Sequence, residues 1–391
     1  MIRRGARACL VLTAWSIPLS TTGMELGVGG LALLAGIAWM KGIPVVRRTP
    51  LDTVLAIFFA ALAVSTLASG RPWEAVGWQR VWVVAGYFGV YWWLDDRDAA
   101  VRFAGSLLAA GVIAGAYGVL QHYTGADWYR ALLGRELRVR PRIGGAHGFA
   151  SVGFFRNYVT YAHVLIVPFG LALARAAYRG GAGAIACAIV VALALIFSTA
   201  RGAWLAVLVM GAALVALRGR GLTMLVIAVL VVGGAWLASP GFREQVIPSF
   251  TESATNAGRL GIYRANLDIV HDHPLFGLGF GRYQRESTPY YDRHPDADRR
   301  SHAHNNFLQL GAEAGLVGLA AFMLLYTTAL RYGVEALART AGGPAYASTL
   351  GVWLGLVGIL VGGLTHYTLG DNEVAVALWV ALAVLMRLRD G

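Results

Sequence analysis

The 391-residue chain is 57% hydrophobic and 14% charged, and its net charge of +12 is almost wholly arginine, with Lys41 the only lysine. Its mean hydropathy is +0.58. That balance excludes a soluble globular domain, where about a quarter of residues are charged, and apolar runs of about 17–25 residues recur, each long enough to cross a hydrocarbon core about 30 Å thick.

The first apolar run, near Cys9–Leu19, follows Met-Ile-Arg-Arg-Gly-Ala-Arg much as the core of a signal peptide follows its basic start. A second apolar run begins at once, with no small-residue cleavage site leading into a soluble domain, so the first is read as a membrane helix. Cys9 and Cys187 both fall in expected spans and suggest neither a disulfide framework nor a metal site. The basic residues are divided among loops, which points to lipid head groups or anionic substrates rather than nucleic acid.

In chain order the spans are expected near residues 8–22, 24–40, 52–69, 77–95, 99–122, 154–176, 184–200, 202–218, 221–238, 304–330, 345–367 and 373–387, with ends uncertain by roughly 2–4 residues. The expected fold is an all-α polytopic membrane protein of about twelve helices. It divides into N-terminal membrane helices (1–122), a first external arginine-rich loop (123–153), central membrane helices (154–238), a large external loop (239–303) and C-terminal membrane helices (304–391). An even number of spans puts both termini on one side. Arg3, Arg4, Arg7, Lys41, Arg47, Arg48, Arg97, Arg175, Arg179, Arg218, Arg220, Arg331, Arg339, Arg387 and Arg389 share that side. Short cytoplasmic loops concentrate such residues, so both termini are expected in the cytoplasm.

The first external loop carries Arg130, Arg135, Arg138, Arg140 and Arg142, with Arg156 just beyond, against Asp127 and Glu136. Two readings stand side by side. Long loops are largely exempt from the charge bias, and guanidinium groups match the oxygens of a phosphate in bidentate fashion. In the large loop, residues 256–270 fit an amphipathic helix in which Arg259, Tyr263 and Asn266 share a face at i, i+4, i+7, with Leu260 and Leu267 expected to pack. Pro274 helps end that helix.

The most specific feature runs from Ser301 to Gly318, Ser-His-Ala-His-Asn-Asn-Phe-Leu-Gln-Leu-Gly-Ala-Glu-Ala-Gly-Leu-Val-Gly. On a continuous helix His304, Leu308, Gly311, Gly315 and Gly318 form one stripe. Small residues on that stripe, including the pair Gly311 and Gly315, allow close helix packing and would turn His304 into the bundle at the membrane surface. A histidine there suits proton transfer near neutral pH, or it caps a helix and satisfies a loop carbonyl. Glu313 lies about half a turn away and reads as structural. Phe-Ser-Thr-Ala-Arg201-Gly-Ala-Trp204 is a tight external turn. Taken alone, its arginine is a snorkelling side chain beside an interfacial tryptophan.

Together these segments carry a resemblance. His304-Asn305, nine residues, then Gly315-Leu-Val-Gly318 resembles the hallmark of the O-antigen ligases. The Arg201 turn, Gly258-Arg259 and His273-Pro-Leu-Phe-Gly-Leu-Gly-Phe-Gly281 resemble other recurring segments of the wider ligase and polymerase superfamily. The likeness covers about residues 150–330; elsewhere only hydropathy and span count agree. It implies a GT-C glycosyltransferase fold in a Gram-negative inner membrane with a periplasmic active site. The donor would be a polysaccharide on undecaprenyl pyrophosphate, and the acceptor a hydroxyl of lipid A–core oligosaccharide, with membrane lipids around both. Transfer would be inverting, without metal or other cofactor. The family's essential histidine carries over onto His304 and its arginines onto Arg201 and Arg259. Displacing a pyrophosphate calls for guanidinium groups where charge develops, so Arg142, Arg156 and Arg264 join as substrate-binding candidates, with Tyr263, His302 and Asn305 beside them.

His271-Asp-His273, Asp296-Ala-Asp298 and His302-Ala-His304 could suggest a metal, but their spacings fit no standard ligand set. Gly277-x-Gly279-x-Gly281 follows no strand and is read as a turn rather than a nucleotide site. Two other functions fit the same residues in part: an O-antigen polymerase, differing only in its acceptor, and a transporter of lipid-linked sugars. A transporter would concentrate ionisable residues at mid-span, and Arg80, the main suspect, sits near the outer end of its span.

Overall fold

A computed structural model of the chain describes residues 1–74, 76–141, 148–218, 253–297 and 302–391. The expected span at 221–238, Arg142 and the start of the large loop lie outside the described residues.

Antiparallel helices make up nearly all of what is described. α1 (Ile2–Leu19), α2 (Thr21–Met40) and α3 (Asp52–Ala68) are followed by 3₁₀ turns at Pro72–Glu74 and Val76–Val84 and then by the short α4 (Ala85–Trp93). Next come α5 (Arg97–Thr124), α6 (Trp128–Leu132), α7 (Tyr158–Val164), α8 (Ile166–Tyr178), α9 (Ala182–Phe197) and α10 (Arg201–Arg218). α11 (Ser253–Asp272), α12 (Tyr283–Glu286) and α13 (Thr288–Asp292) lie in the large loop, before α14 (Asn306–Thr340), α15 (Tyr346–Gly362) and α16 (Asn372–Asp390). The all-α expectation meets one small exception, a two-residue ladder of β1 (Arg140–Pro141) with β2 (Phe149–Ala150). Among the described residues, four helical segments are long and apolar enough to cross a membrane by length and composition: Thr21–Met40, Arg97–Thr124, Tyr158–Tyr178 and Asn306–Thr340. Shorter apolar helices at Asp52–Ala68, Ala182–Phe197, Arg201–Leu217 and Tyr346–Gly362 lie among them. This is the make-up of a polytopic membrane protein.

The helices alternate in direction, so the bundle has two ends. At one end lie both termini, where Arg97 Nε donates to the Leu388 carbonyl (2.9 Å), Tyr91 to Asp390 (2.8 Å) and Arg389 pairs with Glu335 (3.0 Å). At the other, Thr21 donates to Glu373 (2.9 Å) and Thr160 to Asp371 (2.9 Å).

Several expected spans are corrected by the backbone. The fourth, 77–95, is half 3₁₀, and only Ala85–Trp93 is α-helical. The span at 345–367 stops at Gly362, which frees residues 364–371 as a loop with a 3₁₀ turn at Thr368–Gly370. The largest change is in α14, whose backbone leaves helical geometry at Gly315 (φ 66°, ψ −171°). A stripe of His304, Gly311, Gly315 and Gly318 on one straight helix therefore does not exist: His304 precedes the helix, and Gly315 breaks it.

That break is filled by the segment 274–281. Leu278 N and Gly279 N donate to the Ala312 and Glu313 carbonyls (2.9 and 3.0 Å), while Leu316 N and Val317 N donate to Pro274 O and Leu275 O (2.8 and 3.3 Å). Ser65 of α3 joins in, its hydroxyl 2.8 Å from Phe276 O and accepting from Phe280 N at 3.1 Å. Opening a helix inside a bilayer leaves backbone groups that water cannot reach, so an inserted segment must satisfy them. A Cβ at Gly315 would collide with the Leu275 carbonyl, and its dihedrals are those only glycine adopts readily. The close helix approach expected at Gly311 and Gly315 occurs instead where Gly351 and Gly355 of α15 lie on the backbone of Leu171 and Val167 in α8.

Candidate functional site

The site is built at the end of the bundle opposite the termini, where the chain enters α14. Asn305 caps that helix: its Oδ1 accepts from Phe307 N (2.8 Å) and Leu308 N (3.1 Å), as N-cap residues do. Its Nδ2 donates to the Leu364 carbonyl (2.9 Å). Asn306 N donates to Gly363 O (2.7 Å), and the Asn306 amide bridges Thr368 Oγ1 (2.8 Å) and Leu369 N (3.2 Å). Gln309 accepts from Ala303 N (2.7 Å) and donates to the buried Glu313 (3.1 Å). The polar residues of the motif thus clamp two loops together, 302–305 and 363–371.

Held between them, His304 adopts φ 52°. Left-handed backbone is uncommon outside glycine and gathers at functional sites, although histidine tolerates it better than most residues. The His304 ring lies 4.2 Å from His302 and 5.5 Å from His366, centroid to centroid. His366 is in turn 5.4 Å from His302 and 5.9 Å from His163 of α7. Behind it, His366 Nε2 lies 3.7 Å from Asp371 Oδ2, which also accepts from Thr160 Oγ1 (2.9 Å). Burial pushes the Asp371 carboxyl up, but the hydrogen bond and charge of His366 and the Thr160 hydroxyl outweigh it and hold the group below its ordinary value. Asp371 is therefore an anion at neutral pH, facing a histidine.

Arg201 reaches the same end. Its turn is pinned by Ser198 Oγ donating to Leu195 O (2.6 Å) and by Ser151 N donating to Phe197 O (3.1 Å), with Thr199 in the left-handed region (φ 66°). Gly202 lies directly on Thr365 and the Gly362 carbonyl, where any side chain would clash. Arg201 therefore starts α10 beside the loop that carries His366.

α11 arrives from the large loop. Its buried face is Ile262, Ala265, Asn266 and Ile269, packed with Leu278, Tyr283 and Tyr291. Leu260 and Leu267, expected to pack, are instead 49% and 55% exposed. The 3.6-residue period sets them opposite Ile262 and Ile269, and the same rotation turns Arg264 outward with them. Tyr263 lies on the flank of the buried face, and its hydroxyl donates to the Leu364 carbonyl (3.3 Å). Arg259, one turn earlier, shares that flank and is half-buried. Arg156 is exposed just ahead of the Asn157 cap of α7, which bonds Thr160 N (2.8 Å).

The structure thus brings His302, His304, Asn305, Arg201 and Tyr263 around the loop 362–371, with Arg259 and Arg156 at its margin. Arg264 is not brought in, and Arg142 lies outside the described residues. In the arginine-rich loop, Arg130 is spent on the fold, buried against Asp127 (3.4 Å) and donating to Phe155 O (2.6 Å). Arg138 pairs with Glu136 (2.7 Å). His271 sits against Asp272 (3.2 Å) and His273 against Tyr290 (3.0 Å), well apart from the histidine cluster. Among the described residues no three histidine, cysteine or acidic side chains are grouped to hold an ion.

Sequence reasoning missed His163, His366, Thr160 and Asp371. The available signal was Thr-His-Tyr-Thr-Leu-Gly-Asp, polar residues at the outer end of a span, on the face already assigned to His304.

Comparison with known families falls on this region. Residues 185–323 match the family model described as O-antigen ligase. That likeness, over little more than a third of the chain, supports membership of the O-antigen ligase and polymerase superfamily. The ligase match runs from α9 into α14 and takes in Arg201, Arg259 and His302–Asn305, whereas His366 and Asp371 lie beyond it. No curated protein matches the chain.

Proposed function

We propose that the protein is a membrane glycosyltransferase of about twelve spans that moves O-antigen polysaccharide from undecaprenyl pyrophosphate to lipid A–core oligosaccharide at the periplasmic face of a Gram-negative inner membrane. The family match supports ligase- or polymerase-type chemistry on a lipid-linked polysaccharide. The observation that carries the reading furthest is His304, in left-handed backbone within the matched segment, at the same bundle end as Arg201.

The acceptor hydroxyl gives its proton to His304 as its oxygen attacks the anomeric carbon. The bond from that carbon to the pyrophosphate oxygen breaks, and its electron pair leaves with the lipid pyrophosphate. Back-side attack inverts the anomeric centre. Arg201 and Arg259 carry the charge that grows on the leaving oxygens, with Arg156 and Arg142 completing the grip and Arg264 left outside it. Tyr263 and Asn305 support the walls of the site, and His302 packs the base. His366, backed by Asp371, stabilises the cationic form of the histidine cluster once the proton has arrived. An alternative role for His304, orienting the hydroxyl by hydrogen bonding, keeps the same residues. Neither a metal nor another cofactor enters this scheme.

The polymerase reading shares every step except the acceptor, so product analysis separates the two. Purified protein given lipid-pyrophosphate donor and lipid A–core should yield polysaccharide on the core. Lengthening of the lipid-linked chain instead makes it a polymerase, and movement of intact donor between leaflets makes it a transporter.

A further inference from the structure

At the opposite end of the bundle, beside both termini, a cavity of about 490 Å³ opens between α3 and α4. Its mouth carries Arg47 and Arg48, from the loop joining α2 to α3. Its walls are Leu55 and Phe59 of α3 and Phe88 and Trp92 of α4. Leu55 and Phe59 follow Asp52 at successive turns, as Phe88 precedes Trp92, so the walls run from the charged mouth into the membrane-spanning depth of both helices. Phe59 is backed by Trp379 of α16, ring centroids 6.5 Å apart.

The mouth is built rather than loose. Arg47 Nη2 donates to the Tyr91 and Leu94 carbonyls (3.3 and 3.0 Å), and Trp92 Nε1 donates to Arg47 O (2.9 Å). The one carboxylate on the rim, Asp52, is engaged by Thr49 through its N–H (2.9 Å) and hydroxyl (2.5 Å). Among the described residues neither Arg47 nor Arg48 has an acidic group within ion-pair distance. Beyond that distance Arg387 repels Arg47 while Asp95 and Asp390 attract it.

From this gradient, cationic at the mouth and aromatic along the depth, we infer that the groove between α3 and α4 binds an acidic diacyl glycerophospholipid. The phosphodiester meets Arg47 and Arg48, and an acyl chain lies along Leu55, Phe59 and Phe88. A soluble anion would satisfy the arginines but leave the aromatic walls unexplained, and a neutral lipid would do the reverse. Basic pockets between membrane helices recognise acidic head groups in this way. The inference needs only the polytopic membrane fold and stands apart from the transfer reaction.

Trp92 supplies the probe. The full chain is reconstituted in phosphatidylcholine vesicles doped with brominated phosphatidylglycerol or, separately, brominated phosphatidylcholine. The Trp92 component is the difference between wild type and Trp92→Phe. Quenching should favour phosphatidylglycerol by roughly fivefold per arginine, the contribution of one basic side chain near an anionic leaflet. Arg48→Gln should reduce that preference about fivefold. Ala56→Trp, which fills the groove and keeps both charges, should abolish it. Equal quenching by the two lipids overturns the inference. So does reversal by millimolar inorganic phosphate, which would mark an anion site without a lipid, or an unchanged preference in a correctly folded Ala56→Trp protein.

Discussion

Both ends of the bundle tie arginines into the fold, and each leaves others over: Arg47 and Arg48 beside the termini, Arg156 and Arg259 at the histidine end. At the end carrying the termini, Arg3 and Arg7 pair with Asp95 (3.2 and 3.4 Å), and Arg389 pairs with Glu335 and Asp390 (3.0 and 2.9 Å). Arg97 and Arg387 cap helix ends by donating to Leu388 O (2.9 Å) and Asp95 O (2.6 Å). At the histidine end, Arg282 does comparable work, buried and bonded to Glu74 (3.2 Å) and Glu286 (2.6 Å). Arg156 and Arg259, in contrast, have no acidic group in ion-pair range among the described residues. A guanidinium already held by a carboxylate has spent the donors that a phosphate would use. The contrast separates arginines that close the fold from arginines placed to meet an anion, and it can be broken by experiment.

Among the arginines, the largest effect is expected at Arg259. Arg259→Ala should lower kcat by about 10²–10³, the usual loss when one preorganised donor to a developing charge is removed. Arg259→Lys should recover part of it, because an ammonium keeps the charge but loses the bidentate fork. Arg264→Ala, on the outward face, should cost less than about threefold; equal losses at the two positions would erase the distinction between the flanks of α11. Steady-state transfer assays read all three.

Gly315→Ala tests the interlock beneath the site. The backbone alone costs about 1–3 kcal/mol there, and the new methyl group strikes the Leu275 carbonyl. A clear fall in Tm is expected; an unchanged Tm would mean that the segment 274–281 is not held as described.

Asp371→Asn should lower kcat about tenfold, within the usual reach of groups that assist proton transfer, while KM changes little. The same variant has a signature in stability. The Asp371 carboxyl is held below its ordinary value in the fold, so its pairing contributes fully above about pH 4 and is lost as the pH falls further. The Tm gap between wild type and Asp371→Asn should therefore hold from neutral pH down to about pH 4 and narrow below it. A gap that widens on acidification contradicts the pairing.

The smallest effect is expected at Tyr263→Phe, which loses one hydrogen bond to the Leu364 carbonyl. About 0.5–1.5 kcal/mol of stability is at stake, read as a small Tm shift with kcat nearly unchanged.

Much of this was legible in the sequence, and the failures have physical causes. Hydropathy gave most helices, because apolar length is what a bilayer demands. The His304-Asn305 pair stands out in the sequence as a local motif, whereas the helix cap that Asn305 makes does not, because its side chain was expected to meet substrate. The break at Gly315 was not, since small residues suit a tight straight helix and a broken one equally well, and only the docked segment 274–281, far away in sequence, decides between them. Leu260 and Leu267 were assigned to the wrong face of α11 because Ile262, Ala265 and Ile269 offer a competing apolar stripe. His366 and Asp371 were hidden by distance: more than sixty residues separate them from His304, and only the antiparallel return of α15 beside α14 brings the two loops together.

His304 is proposed to take or position the acceptor proton in the glycosyl transfer. Its most direct test is single-turnover transfer from purified lipid-pyrophosphate donor to lipid A–core, comparing wild type with His304→Ala at matched insertion and Tm. Polysaccharide on lipid A–core is expected with the wild type, and a rate lower by about 10²–10⁴ in the variant. A His304→Ala protein that ligates at the wild-type rate would contradict it.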